Sequence, residues 1–229
     1  MNLREVVNRV QMGVQRDDIT SSYKDFVNEA IFEIEKMRDW SDSHTLGTLN
    51  WPQGQSIMRM PEDFKAFGEI PAAFVLDNTQ NPPCQWPCRI VHRSAFYNSG
   101  LRAGPYWASN PNSGVGQFGG VTPRAEFPLW YDYIDGMGVL GTIGPVGQNM
   151  QFSVSYYRHQ APLNNPTDSN PFTLKEPLLV IARAKAVAFS SINDPLAMAC
   201  LQEVDYLFNL ARVRDERIRL AGVTLRMRG

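Results

Sequence analysis

The stretch MQFSVSYY, residues 150–157, decides how the chain is read. Phe152, Val154 and Tyr156 alternate with Gln151, Ser153 and Ser155, the two-residue period of a strand with one face in a core and the other in water. Short strand-like runs recur upstream at 45–49, 55–60, 73–76, 89–92, 129–134 and 138–143, each broken by Gly, Pro, Asn or Ser. Together they predict a central antiparallel β domain over residues 41–171. Within it, 78–122 is rich in Pro, Gly, Asn and aromatics (NTQNPPCQWP, GPYWASNPNSGVGQFGG), which predicts long surface loops.

On both sides the period changes to that of a helix. Leu3, Val6, Val7, Val10 and Val14 share one face, and RDDITSS interrupts it. Ser22 with Asp25 suggests a capping box for a second helix, whose stripe is Tyr23, Phe26, Val27, Ala30, Ile31, Ile34 and Met37. Lys24, Asn28, Glu29, Glu33, Glu35, Lys36 and Arg38 fill its other sides and are expected in solvent. Helix returns near Phe172; after Pro177 a segment apolar nearly all round implies a buried helix. Asp194 and Pro195 form an N-cap and first-turn pair for a last helix striped by Leu196, Cys200, Val204, Leu207, Phe208 and Ala211. Run to Leu220 it would be about 39 Å long at 1.5 Å per residue. The expected fold is therefore α+β: helices of 1–40 and 172–220 form a helical bundle, the β domain lies between, and 221–229 is a basic C-terminal arm.

Composition narrows the function. The chain has 229 residues, 43% of them hydrophobic, and a formal net charge of −1, so it can bury a core and carries no global basic field for nucleic acid or acidic lipid. No run of about 18 apolar residues suggests a membrane span. The amphipathic start MNLREVVNRV is unlike a signal peptide, which predicts folding in a cytoplasm. Cys84, Cys88 and Cys200 are an odd set read as free thiols, and His44, His92 and His159 are scattered, so neither a disulfide framework nor a zinc site is expected.

Several motifs imitate chemistry. GVGQFG (114–119) and GMGVLG (136–141) match G-x-G-x-x-G, but neither is followed by a helix that could hold a pyrophosphate. Glu62 and Asp63, in IMRMPEDFKAF, and Asp132 and Asp135 could serve a cell-wall hydrolase as acid pairs. Pro61, however, favours a turn in which Asp63 caps backbone N–H groups. Trp86, Tyr106 and Trp107 fall in the expected loops, where exposed rings could bind host glycan or a tail partner. No catalytic, cofactor or metal residues are assigned.

The order of motifs along the chain resembles the head-to-tail adaptor (connector) proteins of tailed bacteriophages. The resemblance rests on EIEKMRDW (33–40), on Met60, Pro61, Glu62, Asp63 and Phe64 as an LPxDF-like turn, on LWYDYIDG (129–136) and VSYYRHQAPL (154–163), and on the closing helices EPLLVIARAKAVAFSSINDPLAMACLQEVDYLF (176–208). It spans almost the whole chain, with 78–122 longer than in compact members. It implies a non-enzymatic virion protein of the neck, assembled in the host cytoplasm. Such proteins form a homo-oligomeric ring, usually a dodecamer, docked beneath the portal protein, where the ring extends and closes the DNA channel and carries tail nozzle or fibre proteins. The basic, half-apolar C-terminus is the expected portal-docking element: Arg212, Arg214, Arg217, Ile218, Arg219, Val223, Leu225, Arg226 and Arg228. Passing DNA would be touched without sequence specificity, and near-neutral charge suits a conduit. The alternative is a tail-associated β-domain recognition module binding host glycan.

Overall fold

The computed structural model describes residues 1–16, 18–67, 73–77, 84–98, 127–142, 145–146 and 149–226. The fold is α+β, with helices and a mixed sheet, and divides into two compact units. One comprises Met1–Ser43 and His159–Gly229, the other His44–Arg158. Residues 159–171, which the sequence pattern placed with the strands, thus belong to the helical unit.

The sheet unit is organised around β8 (Met150–Arg158). On one edge β8 pairs along its length with β1 (His44–Trp51), from His44 opposite Tyr157 to Trp51 opposite Met150. Its other edge is shared by β4 (Ala73–Asp77), opposite 151–154, and β3 (Phe64–Ala66), opposite 157–158. The expectation of a half-buried strand fails in the middle of β8. Phe152 and Val154 are fully buried, and Ser153 and Ser155 on the opposite face are also shielded from water. Small hydroxyls fit such a place where larger polar groups would not.

From β4 the sheet continues through β5 (Cys84–His92), β6 (Phe127–Ile134) and β7 (Met137–Gly141) to β2 (Ile57–Arg59). Among the described residues all pairings are antiparallel except β5 with β6, which run parallel. The wholly antiparallel expectation is corrected there, and the reason is connectivity. Parallel neighbours need a crossover of a dozen or more residues, and such a length separates His92 from Phe127. The span read as surface loop, apart from the strand expected at 89–92, therefore contains a nine-residue strand and the short helix α3 (Arg93–Asn98). Among the described residues Pro87 is paired only with β4, at Phe74, and the ladder to β6 begins at Cys88.

The β6–β7 hairpin turns on Asp135 and Gly136, both at positive φ (53° and 77°), as a two-residue turn matched to strand twist requires. GMGVLG is therefore a turn and a strand. Its other glycines leave room for rings: a Cβ on Gly138 would collide with Phe64, and one on Gly141 with Trp130. The sheet core gathers Trp51, Leu129, Leu140, Phe152 and Val154.

The helical unit comprises α1 (Leu3–Val14), α2 (Tyr23–Met37), α4 (Pro171–Lys175), α5 (Pro177–Ser191) and α6 (Leu196–Arg226). α5 is the central piece, in contact with α1, α2, α4 and α6. Val6, Val10, Val27, Ile34, Val180 and Ala184 are fully buried around it. Two expected caps differ in outcome. Ser22 makes no side-chain cap, because a 3-10 turn (Thr20–Ser22) leads into α2 with Ser22 already in helical geometry. At α6 the Asp194 carboxylate accepts the Leu196 N–H at 2.9 Å. Asn170 and Thr173 make a capping box for α4 that the apolar pattern did not announce.

The polar side of α2 is not wholly in solvent. Asn28 brackets Leu163, accepting its N–H at 2.9 Å and donating to its carbonyl at 3.1 Å. Glu35 is 2% exposed and accepts the Gln160 N–H at 3.1 Å. The chain leaving β8 thus fastens to α2 through side chains that a helical stripe assigns to water.

Candidate docking surface

The basic second half of α6 is built on one buried acid. Asp215, 5% exposed, accepts hydrogen bonds from the Ser41 N–H at 2.8 Å, Arg219 Nε at 3.0 Å and Arg38 Nε at 3.1 Å. Burial alone would raise its carboxyl; the Ser41 hydrogen bonding and the charges of Arg219 and Arg38 outweigh burial and hold it below the ordinary aspartate range. Arg38 reaches on to Glu216 at 3.1 Å. Two residues later Trp40 is buried, edge-on to both Phe172 and Phe208, with its indole N–H given to the Ile34 carbonyl at 3.0 Å. The RDW motif is therefore the joint between the end of α2 and α6: the arginine binds the acid, and the tryptophan fills the core beneath.

Around this joint lies a shallow recess lined by Trp40, Phe172, Lys175, Glu176, Arg214 and Ile218. Arg214 pairs with Glu176, and Lys175 with Asp42. Burial raises the Glu176 carboxyl despite the arginine beside it. Ile218 is half-exposed at this recess, where an apolar side chain of a partner could sit.

The docking residues read from the sequence have different placements. Arg214 ties α6 to Glu176, Arg219 pairs with Asp215 one turn back within α6, and Arg212 lies 3.9 Å from Glu216 one turn on. Arg217 is exposed, with no ion-pair partner among the described residues. Val223, Leu225 and Arg226 continue the backbone of α6, which runs 31 residues, about 46 Å at 1.5 Å per residue, where a separate arm was expected. Arg228 lies outside the described residues.

Sequence periodicity missed the opposite face of α6. Tyr206, Leu210, Val213 and Leu220 are 65%, 46%, 42% and 66% exposed. Together with Arg217 they follow a four-three spacing that puts them on one line. The buried stripe through Val204, Ala211 and Asp215 lies on the far side. The signal was present in the sequence, but a helix apolar on two faces reads first as one broad stripe.

The remaining candidates are fastened structurally. Asp63, expected to cap backbone, instead accepts the Tyr156 hydroxyl at 3.0 Å, while the turn closes by Phe64 N–H to the Pro61 carbonyl at 3.0 Å. Burial and the Asp63 contact push the Tyr156 phenol up to about 12. Glu62 is exposed. Asp132 faces Arg93 at 3.4 Å and His92 Nε2 at 3.9 Å, while Ser94 places both its hydroxyl (2.7 Å) and its N–H (3.3 Å) at His92 Nδ1. In that serine, histidine and aspartate set Ser94 and His92 are exposed and Asp132 is partly buried, and His92 sits at the start of α3 as a local cap. Trp86 belongs to β5, in register with Val75. Tyr106, Trp107 and GVGQFG lie outside the described residues. Among the described residues no His, Cys, Asp and Glu group could hold a metal, and no helix is long and apolar enough to cross a membrane.

No protein-family model matches the chain, and no curated protein matches its sequence.

Proposed function

We propose that the protein is a head-to-tail adaptor of a tailed bacteriophage, a non-enzymatic ring subunit that docks on the portal, extends the DNA channel and carries tail proteins. The observation that supports this reading best is that the segments carrying the resemblance are joints of the fold. Arg38 and Trp40 lock α2 to α6. The MPEDF turn hands Asp63 to Tyr156 and packs Phe64 against Phe67. LWYDYIDG is β6 with its hairpin turn, and VSYYRHQAPL is the hub strand with its anchored exit. In this reading α1, α2, α5 and α6 form the helical bundle of the subunit. The far half of α6 is the docking element, with Arg217, Ile218 and Leu220 exposed for a portal and the helix backbone continuing to Arg226.

The test is electron microscopy of the purified protein mixed with purified portal rings, in which stacked rings are expected. Deleting residues 223–229, or changing Ile218 to Glu, should weaken stacking while leaving the thermal unfolding midpoint unchanged. Absence of any complex with the portal at high micromolar concentration would refute the reading.

A further inference from the structure

We propose that two copies of the free chain pair through the exposed stripe of α6 in antiparallel orientation. The stripe repeats every seven residues: Glu203, Tyr206, Leu210, Val213, Arg217 and Leu220 occupy alternating three- and four-residue steps, the spacing of a coiled-coil seam. All six are exposed in the single chain.

Charge fixes the orientation. The acid of the stripe, Glu203, lies toward the start of the helix and its cation, Arg217, toward the end. Neither has an ion-pair partner among the described residues. In a parallel pair each would meet its own copy, at the cost of like-charge contacts. With a two-fold axis between 211 and 212, Leu210 meets the partner's Val213, and Tyr206 lies under the partner's Arg217, where a guanidinium gains from the ring face. Glu203 meets the partner's Leu220, one turn from the partner's Arg217. The result is an apolar centre of two Leu–Val layers closed at each end by an aromatic–cation layer and an opposite-charge pair.

Such a contact is isologous and closes at two copies, so it is distinct from the side-to-side contact of a ring and stands or falls without the adaptor reading. It also covers Arg217 and Leu220, so a partner that binds there must compete with the second copy.

Sedimentation equilibrium of the full chain should show a monomer–dimer equilibrium at up to about 100 μM. Leu210→Glu or Val213→Glu should weaken dimerisation at least about 30-fold with unchanged helicity. Arg217→Glu alone should weaken it, and Arg217→Glu combined with Glu203→Arg should restore it. That rescue decides the matter even if an apolar-to-acid variant loses helicity. Mixing Glu203→Cys with Leu220→Cys chains should give a 203–220 disulfide, mapped by mass spectrometry to separate it from the native thiols. Leu220→Cys alone should give none, its two copies lying about 25 Å apart at 1.5 Å per residue. A monomer throughout, a dimer indifferent to these substitutions, or a 220–220 cross-link would overturn the proposal.

Discussion

Replacing Asp215 by alanine removes the acceptor for three donors at once: the Ser41 N–H at 2.8 Å and the Nε groups of Arg219 and Arg38 at 3.0 and 3.1 Å. Breaking a buried ion pair from one side costs about 3–5 kcal/mol, because the remaining charge keeps its desolvation without its partner. Here Arg38 and Arg219 are 20% and 30% exposed, and Arg38 retains Glu216, so the loss belongs at the low end, about 3 kcal/mol. That is a large share of the roughly 5–15 kcal/mol that holds a domain folded. Asp215→Asn keeps an acceptor for Ser41 and loses only the charge, so it should cost less, about 1–2 kcal/mol. Urea unfolding followed by far-ultraviolet circular dichroism reads the helical unit directly. The sign with pH is fixed by the lowered carboxyl: its contribution is full above the unfolded aspartate value near 4 and is lost as pH falls through the folded value. The wild type should therefore lose its advantage over Asp215→Asn as the medium becomes acid. A loss below about 1 kcal/mol for Asp215→Ala at neutral pH, the scale of an exposed pair, would refute the view of Asp215 as the anchor of α6.

Other perturbations test the sheet unit. Asp63→Ala should cost about 1 kcal/mol through the lost Tyr156 hydrogen bond, with Tyr156→Phe costing the same and the double variant no more than either, in a thermodynamic cycle of urea midpoints. In a spectrophotometric titration one tyrosine should ionise near 12 and fall toward the ordinary range in Asp63→Ala, since burial and Asp63 together raise it. Stability gained from the neutral phenol is full below the unfolded value near 10 and is lost as pH rises through about 12. Gly141→Ala drives a methyl group into the Trp130 ring and should cost about 1–3 kcal/mol or more by tryptophan fluorescence in urea. Gly54→Ala meets nothing nearby and should cost only the strain of its φ of 84°, about 1 kcal/mol.

The division of the chain into helical flanks around strands was legible because it rests on local period. Phe152, Val154 and Tyr156 alternate, Val27, Ile31 and Ile34 recur at helical spacing, and both patterns survive any arrangement of neighbours. Asp194 was legible as a cap for the same reason, its partner lying two residues away. Local period and residue order suffice for these elements and for the basic end of α6. Tertiary structure alone decided which strands meet, that β5 and β6 run parallel, and that β8 is buried on both faces, since pairing depends on crossovers that no window of residues contains. It also decided that Glu35 and Asp215 are interior. The donors that stabilise them, Gln160 in one case and Ser41 and Arg38 in the other, lie more than a hundred residues away along the chain. A carboxylate looks solvated in any local pattern, and only the folded chain brings in the hydrogen bonds that let it leave water.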